Sequence, residues 1–459
     1  MGGGASRPRA TTPSFPPGPR APAAIQGLRL LRDPLSFALD IHRRYGDVFA
    51  VSVPVFGRAV YLASPETVKT VFTGSPDRFH GGEMMATIME PTVGTNSVIT
   101  LDGAPHLRRR KLLLGPFHGE SIRHYGELMR KITLEEIETW PLGEPFALLP
   151  HFQRITLGVI LKSVLGVHDS ERLDRAASLI GAYQKRAPLV SLIAPLRRDF
   201  GPWSPWARFL RVRDALDEFV YELIATRRQQ ASSEGQDDIL SLLMQARHDD
   251  GTAMSDKELR DELAGLIGAG YETTANLLSF AIERLLRTPR ALTRLRESIA
   301  AGEDDYLDAT VKETLRARPV SPNVARKLTT RTEIGGFQLE AGTVVFPATS
   351  VLHYREDLFP EPYEFRPERF LDGKADNYAW IPFGGGVRRC IGAPFAEYEM
   401  RTVLRTVLEH ADLRAADAKP ERVKFRTATL TPARGARVVM ERRLDATPRA
   451  SAPAAGPSR

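Results

Sequence analysis

The sequence predicts a mainly α-helical protein with small peripheral β-sheets, and three observations carry that reading. Helix-period patterning runs from about residue 65 to Arg318. Strand-like stretches are confined to 46–64, 324–350 and 423–441. No internal repeat or linker-like change in composition divides residues 25–443. The 459 residues would allow two or three ordinary domains, but this continuity favours one large domain over 23–443. With 42% hydrophobic and 26% charged residues, core material is ample.

The flanking segments read differently. Residues 1–22 and 444–459 are rich in Pro, Gly, Ser or Ala and poor in large apolar residues, so a disordered lead-in and a disordered tail are expected. Neither contains the apolar core of a secretory signal, and apolar stretches such as Pro188–Leu196 are too short to span a bilayer. The expectation is a soluble, cytoplasmic chain without a membrane span. The net charge of +7 is spread out and no basic block is interleaved with aromatics, so nucleic acid is not expected as a partner.

Along the chain, GDVFAVSVPVFGRAVYLAS (46–64) reads as a two-stranded unit. Ser255-Asp256-Lys257-Glu258 forms a capping box that opens a long helix, and Pro289 marks its stop near Arg287. That helix would span about 32 residues, roughly 48 Å. Its centre is poorly chosen for stability alone: Gly265, Gly268 and Gly270 each cost about 1 kcal/mol relative to Ala in a helix interior. Glu272, Thr273 and Thr274 then place an acid and two hydroxyls in an apolar stretch. Two shorter helices joined by a Gly-rich turn, with a Thr bonded back to a carbonyl, would account for this. So would a local opening where a small ligand meets the backbone and an acid–alcohol pair relays protons.

Further on, YLDATVKETLRARP reads as a helix carrying Glu313 and Arg316 at i, i+3, which by itself is no more than a surface ion pair. In the turn-like segment FRPERF, Arg369 could meet Glu313. The chain has one Cys, so an intramolecular disulfide, a protein-held iron–sulfur cluster and a cysteine-rich zinc site are excluded. That Cys390 lies in FGGGVRRCIG, where glycines allow close backbone approach. Arg388, Arg389 and the start of a following helix would favour its thiolate. A thiolate so placed can be a nucleophile or a metal ligand; a small buried core residue is the plain alternative.

The motifs AGYETT, ETLR, FRPERF and FGGGVRRCIG, in this order and at these separations, resemble the cytochrome P450 haem-thiolate monooxygenases from about Pro16 to Arg443. The resemblance implies haem b held between the long central helix and the cysteine loop. Cys390 would be the axial thiolate ligand of the iron, with Phe383 beside the sulfur and Gly386 and Gly392 letting the loop close under the porphyrin. It implies propionate contacts from His106, Arg110, Arg326 and Arg388, and a structural charge cluster of Glu313, Arg316 and Arg369. Glu272 and Thr273 would be the catalytic acid–alcohol pair that manages protons, with Ala269 and Gly270 making room at the haem.

The implied reaction inserts one oxygen atom of O2 into a substrate R–H, giving R–OH and water. Electrons would come from a separate ferredoxin or flavodoxin with its NAD(P)H reductase, because one Cys cannot hold a [2Fe–2S] centre. Arg388, Arg389, Arg401 and Arg405 are expected to help form an acidic donor's docking face. Met84, Met85, Ile88 and Met89 of an 80–100 loop, with Val324 and Leu430, suggest a lipophilic substrate of terpenoid, steroid, fatty acid or polyketide type. Exposed-looking residues between Ala187 and Phe209 could line an apolar entrance or merely pack on the core. The type resembled is the bacterial one, with hydroxylation in secondary metabolism and a monomeric state as expectations. Haem-thiolate enzymes that couple, desaturate or isomerise, and a haem sensor or carrier without turnover, are the alternatives.

Overall fold

The computed structural model describes residues 15–444 except 54–55, 118–119, 230–237, 372, 374 and 427–428. Most of the chain is helical. Its largest sheet has five strands in the order 48–53, 57–62, 344–347, 326–328, 79–80. The predicted pair is there: Val48–Val53 runs antiparallel to Gly57–Leu62, with Val48 opposite Leu62 and Val53 opposite Gly57. Val344–Pro347 joins parallel to the second strand, so residues almost three hundred positions apart share one core face. Among the described residues three smaller sheets complete the β part, including a hairpin of Val423–Arg426 with Thr429–Pro432.

The long helix is continuous from Asp256 to Leu286 rather than broken at its glycines. Its capping box is made as expected: Ser255 accepts from the Glu258 N–H and the Glu258 side chain reaches back to Ser255. The helix crosses the middle of the main core, where Leu278 and Ile282 are buried with Phe152, Ile155, Val403 and Leu404. Against it lies the helix Leu148–Ser163, and a Cβ on Gly270 would stand 2.7 Å from Ile160 Cδ1. Glycine there permits this close approach, and the Thr156 hydroxyl uses it to donate to the Tyr271 carbonyl at 2.9 Å. Packing and a buried hydrogen bond thus offset the propensity cost that made the segment look breakable.

Two expectations need correction. The disordered lead-in does not extend through 15–22: the Ala50 N–H donates to the Pro17 carbonyl at 2.8 Å, and the Arg58 guanidinium lies over the Phe15 ring. Residues 1–14, and the tail from 445, lie outside the described residues. The 80–100 segment is also not a loop, because Gly82–Val93 is helical. Three N–H groups at its start, from Gly81, Gly82 and Glu83, donate to the Asp102 carboxylate at 2.9, 2.9 and 2.7 Å. No helix of the described residues is long and apolar enough to cross a membrane.

Candidate active site

The cysteine loop is a tight backbone turn. Gly386 has φ +65°, and a Cβ there would come 2.3 Å from the Phe72 carbonyl oxygen, so glycine is required on both counts. The Cys390 N–H donates to the Phe383 carbonyl at 2.9 Å, and the helix Ala393–His410 starts three residues on. Cys390 retains exposed surface, and its thiol sits among many protein atoms. Desolvation pushes its pKa up, while the backbone N–H groups of Gly392 and Ala393 and the charges of Arg389 and Arg110 pull it down. Arg388 does not serve the thiolate as expected, since its guanidinium pairs with Asp102 at 2.6 Å. A Cβ on Gly392 would meet no protein atom within 4 Å, so no steric conflict within the protein requires glycine there.

Close by is a cluster of cations. His106 is 2% exposed and its pKa is pushed down to about 4, first by burial and then by Arg388 and Arg110, so it is neutral at pH 7. Arg326 is buried and lowered to about 10 by desolvation and the charge of Arg388. Its neighbour Lys327 points the other way, to Glu83. Arg110 makes no side-chain hydrogen bond among the described residues, and burial and the charges of Arg389 and Arg388 lower its pKa. Among the described residues the carboxylate set against Arg326 and Arg388 is that of Asp102. Asp102 and Phe72 were missed at the sequence level. Only an Asp-Gly before a helix hinted at the first, and nothing local pointed to the second.

The central helix presents three stripes here. Ala269 is exposed, and Thr273, one turn on, donates to its carbonyl at 2.7 Å. Gly270 lies off that open stripe, and a Cβ there would meet Ile160. Glu272 and Asn276 point to the 423–432 hairpin, where Glu272 Oε1 lies 3.4 Å from Arg426 Nε and Asn276 Oδ1 accepts from the Thr431 hydroxyl at 2.7 Å. Burial raises the Glu272 pKa and Arg426 opposes that rise. The acid and the alcohol are sequence neighbours, but no hydrogen bond joins their side chains in this structure.

On the helix's next face the Thr274 hydroxyl donates to the Gly270 carbonyl at 3.2 Å and faces Glu399, a residue sequence reading passed over. Glu399 is 1% exposed, its Oε1 has no hydrogen-bond partner, and burial raises its pKa to about 8. The sign follows from linkage. Between the ordinary carboxyl range and pH 8 the unfolded chain has released this proton while the native state keeps it, so stability falls as pH rises through that window. The slope approaches about 1.4 kcal/mol per pH unit. In the isosteric Glu399→Gln variant this contribution should vanish. Denaturant midpoints measured at pH 6 and pH 8 check it, and an equal decline in both proteins would refute the assignment.

Glu313 and Arg316 are not a surface pair: both side chains are fully buried and form two hydrogen bonds of 2.7 Å. Arg369 joins at 3.3 Å, and the Arg366 N–H donates to Glu313 at 2.8 Å. Arg316 also donates to the carbonyls of His353, Pro362 and Glu364. His353, neutral because burial pushes its pKa down to about 3, accepts from the Ile381 N–H at 3.0 Å. The cluster therefore pins the chain two residues before Phe383 and hence the entry to the cysteine loop.

Other expected site residues are dispersed. Met84 is buried in a core with Phe37, Tyr61 and Phe346, and Ile88 is buried too, while Met85 and Met89 are half-buried. Val324 lies against Gly384 of the cysteine loop. Leu430 is buried, and its N–H donates to the Val320 carbonyl. Between Ala187 and Phe209 the structure splits the residues: Val190 and Phe209 pack inside, while Phe200 and Trp203 are 70% and 79% exposed. Arg401 pairs with Asp308 and Arg405 with Asp304, so with Arg388 three of the four arginines near the cysteine are already matched to carboxylates.

The cytochrome P450 family model matches residues 16–440. "Putative cytochrome P450 135B1" of Mycobacterium tuberculosis and Mycobacterium bovis is 38% identical over 463 residues, covering 96% of this chain and 95% of the relative. "Putative cytochrome P450 138" of the same species is 38% identical over 430 residues, covering 94% and 97%. Among solved structures, a cyanobacterial CYP120A1 with retinoic acid bound superposes with a TM-score of 0.81 at 25% identity, covering 95% of this chain and 100% of its own. The cytochrome P450DA haem domain gives the same TM-score at 21% identity, covering 95% and 98%, which speaks for the fold alone.

Proposed function

The chain belongs to the cytochrome P450 family of haem-thiolate monooxygenases, and from that premise we propose that it oxygenates a lipophilic small molecule using electrons from separate redox proteins. Family members bind haem b through a cysteine thiolate, and this chain has one cysteine. The observation that carries the site assignment is the setting of Cys390: a glycine turn beside Arg110, with Arg326, Arg388 and a neutral His106 gathered around the one carboxylate of Asp102. A thiolate donor flanked by surplus cations fits an iron porphyrin with two carboxylate arms. Cys390 would hold the iron, while Arg110, Arg326, Arg388 and His106 would hold the propionates. Haem bound there supplies O2 activation by a thiolate-ligated iron.

The protein's own residues then have separate tasks. Ala269 and Thr273 form the open stripe of the central helix against which a small reactant would lie. Thr273 can accept and donate a proton at Oγ. Glu272, whose pKa burial raises, is the proton source closest to it in sequence. Half-buried Met85 and Met89, with Val324, Leu430 and the apolar 187–209 segment, support a lipophilic substrate of terpenoid, steroid, fatty acid or polyketide type. The retinoic acid ligand of the cyanobacterial neighbour is of that chemical character.

External electron delivery by a ferredoxin or flavodoxin and its NAD(P)H reductase is supported by the single cysteine. The docking face is drawn more narrowly than the sequence suggested, around Arg389, because its neighbours are paired internally. A cytoplasmic setting and a tailoring role in secondary metabolism belong to the same proposal. The test is a lipophilic-compound screen for a ferric spin-state change, followed by turnover of hits with ferredoxin, reductase and isotopically labelled O2. One labelled oxygen atom per product molecule is expected. Turnover that yields products free of label would favour a coupling or desaturating enzyme instead.

A further inference from the structure

The helix Ala23–Arg32 is turned inside out. An amphipathic surface helix ordinarily lays its apolar stripe on the core. Here Gln26 and Gly27 are buried, while Ile25, Leu28 and Leu31, spaced to share one face, are 51%, 68% and 58% exposed. The buried amide holds the helix in this orientation. Gln26 Nε2 donates to the Pro19 and Ala21 carbonyls at 3.2 and 2.7 Å, and its Oε1 accepts from the Ser52 N–H at 3.0 Å. Rolling the helix to bury its exposed apolar residues would take those partners from Gln26. The charge around the face has one sign. The first 32 residues contain five arginines and no Asp, Glu or Lys, so the positive excess of the chain is concentrated there. Arg20, Arg29 and Arg32 are exposed, and none of them pairs with a carboxylate among the described residues. Arg29 rests over the Phe37 ring, which leaves its charge uncompensated. The first acid of the chain, Asp33, is engaged with the next helix, where its carboxylate accepts from the Ser36 N–H.

We propose that this helix docks the protein on an anionic lipid surface. It lies in the interface, with Ile25, Leu28 and Leu31 at the acyl boundary and Arg20, Arg29 and Arg32 at the headgroup phosphates. The apolar stripe alone would also suit a second copy of the chain. Its cationic surroundings decide against that, because a symmetric contact would set arginine against arginine with no acid between them. Phosphate supplies the missing anion, and the long arginine stems let the charge stay at headgroup level while the leucines go deeper. A helix of ten residues is too short to span, so the attachment is peripheral and reversible by salt. It involves neither haem nor substrate and stands apart from the reaction proposed above.

The test is flotation of the full-length haem-bound protein with vesicles of phosphatidylcholine alone and of equal parts phosphatidylcholine and phosphatidylglycerol. Binding is expected on the anionic vesicles at low salt, with release at high salt and little binding to phosphatidylcholine alone. Replacing both Arg29→Gln and Arg32→Gln should lower the partition coefficient about twentyfold, from about fivefold for each arginine at the surface. Replacing both Leu28→Ser and Leu31→Ser should lower it about tenfold or more. Haem content and far-UV circular dichroism should match the parent, since all four side chains are exposed. Absence of binding to the anionic vesicles, or equal binding to both compositions, would overturn the proposal. So would binding that survives these substitutions but is lost in Trp203→Ser, which would move the contact to the 187–209 segment, where Trp203 is 79% exposed. A dimer in sedimentation that the two leucine substitutions dissociate would give the face to a second copy instead.

Discussion

Replacing Cys390 with alanine should abolish the red-shifted Soret band of the reduced, CO-bound protein and all NAD(P)H-driven oxygenation, while leaving the fold intact. The loss is expected to be complete because no second cysteine can substitute. The fold should survive because the loop is built by backbone: the Cys390 N–H to Phe383 carbonyl bond and the positive φ of Gly386 do not involve the sulfur. Alanine also removes a thiol whose anionic form desolvation disfavours. Far-UV circular dichroism and the denaturant midpoint should stay near those of the parent, which separates ligand loss from unfolding. A thiolate-type Soret band surviving in Cys390→Ala would remove Cys390 as the iron ligand and with it the frame of the site.

The parts of this site that could be read from sequence are those whose partners are local. The capping box at Ser255 and Glu258, the strand pair at 46–64 and the helical run to Leu286 each depend on neighbours within a turn or a hairpin, and each formed as expected. The cysteine loop was legible because close packing leaves little choice but glycine at Gly386. What failed depends on distant partners. The helix Gly82–Val93 looked like a loop because its first N–H groups are satisfied by Asp102, twenty residues away and outside any capping pattern. Arg388, Arg401 and Arg405 looked like a free basic patch because their carboxylates lie 286, 93 and 101 residues off in sequence. The close approach of Ile160 to Gly270 was not legible, because composition does not report which side of a helix a neighbour occupies. Met84, an adaptable apolar residue offered for a ligand, packs with Phe37 and Tyr61, neighbours that no local pattern could name.

Glu313→Gln is the second large effect, and it should act on stability rather than on chemistry. In the native state the Glu313 carboxylate receives Arg316 through two bonds, Arg369 at 3.3 Å and the Arg366 N–H. Neutralising it leaves the fully buried Arg316 guanidinium without its anion, a change that typically costs about 3–5 kcal/mol. Against a total stability of about 5–15 kcal/mol, that is a large fraction of what holds the domain folded. An apolar pair would not repair the site as it does in some buried ion pairs. Arg316 also serves the carbonyls of His353, Pro362 and Glu364, which would be stranded without a donor. Arg316→Lys should fail for a related reason, since one ammonium cannot reproduce a fork that spans a carboxylate and three carbonyls. The damage should travel through His353 to Ile381 and loosen the approach to Phe383, so haem retention should fall together with the denaturant midpoint. Purified Glu313→Gln with a midpoint and haem content within error of the parent would show that the cluster is dispensable and that the cysteine loop is held by something else.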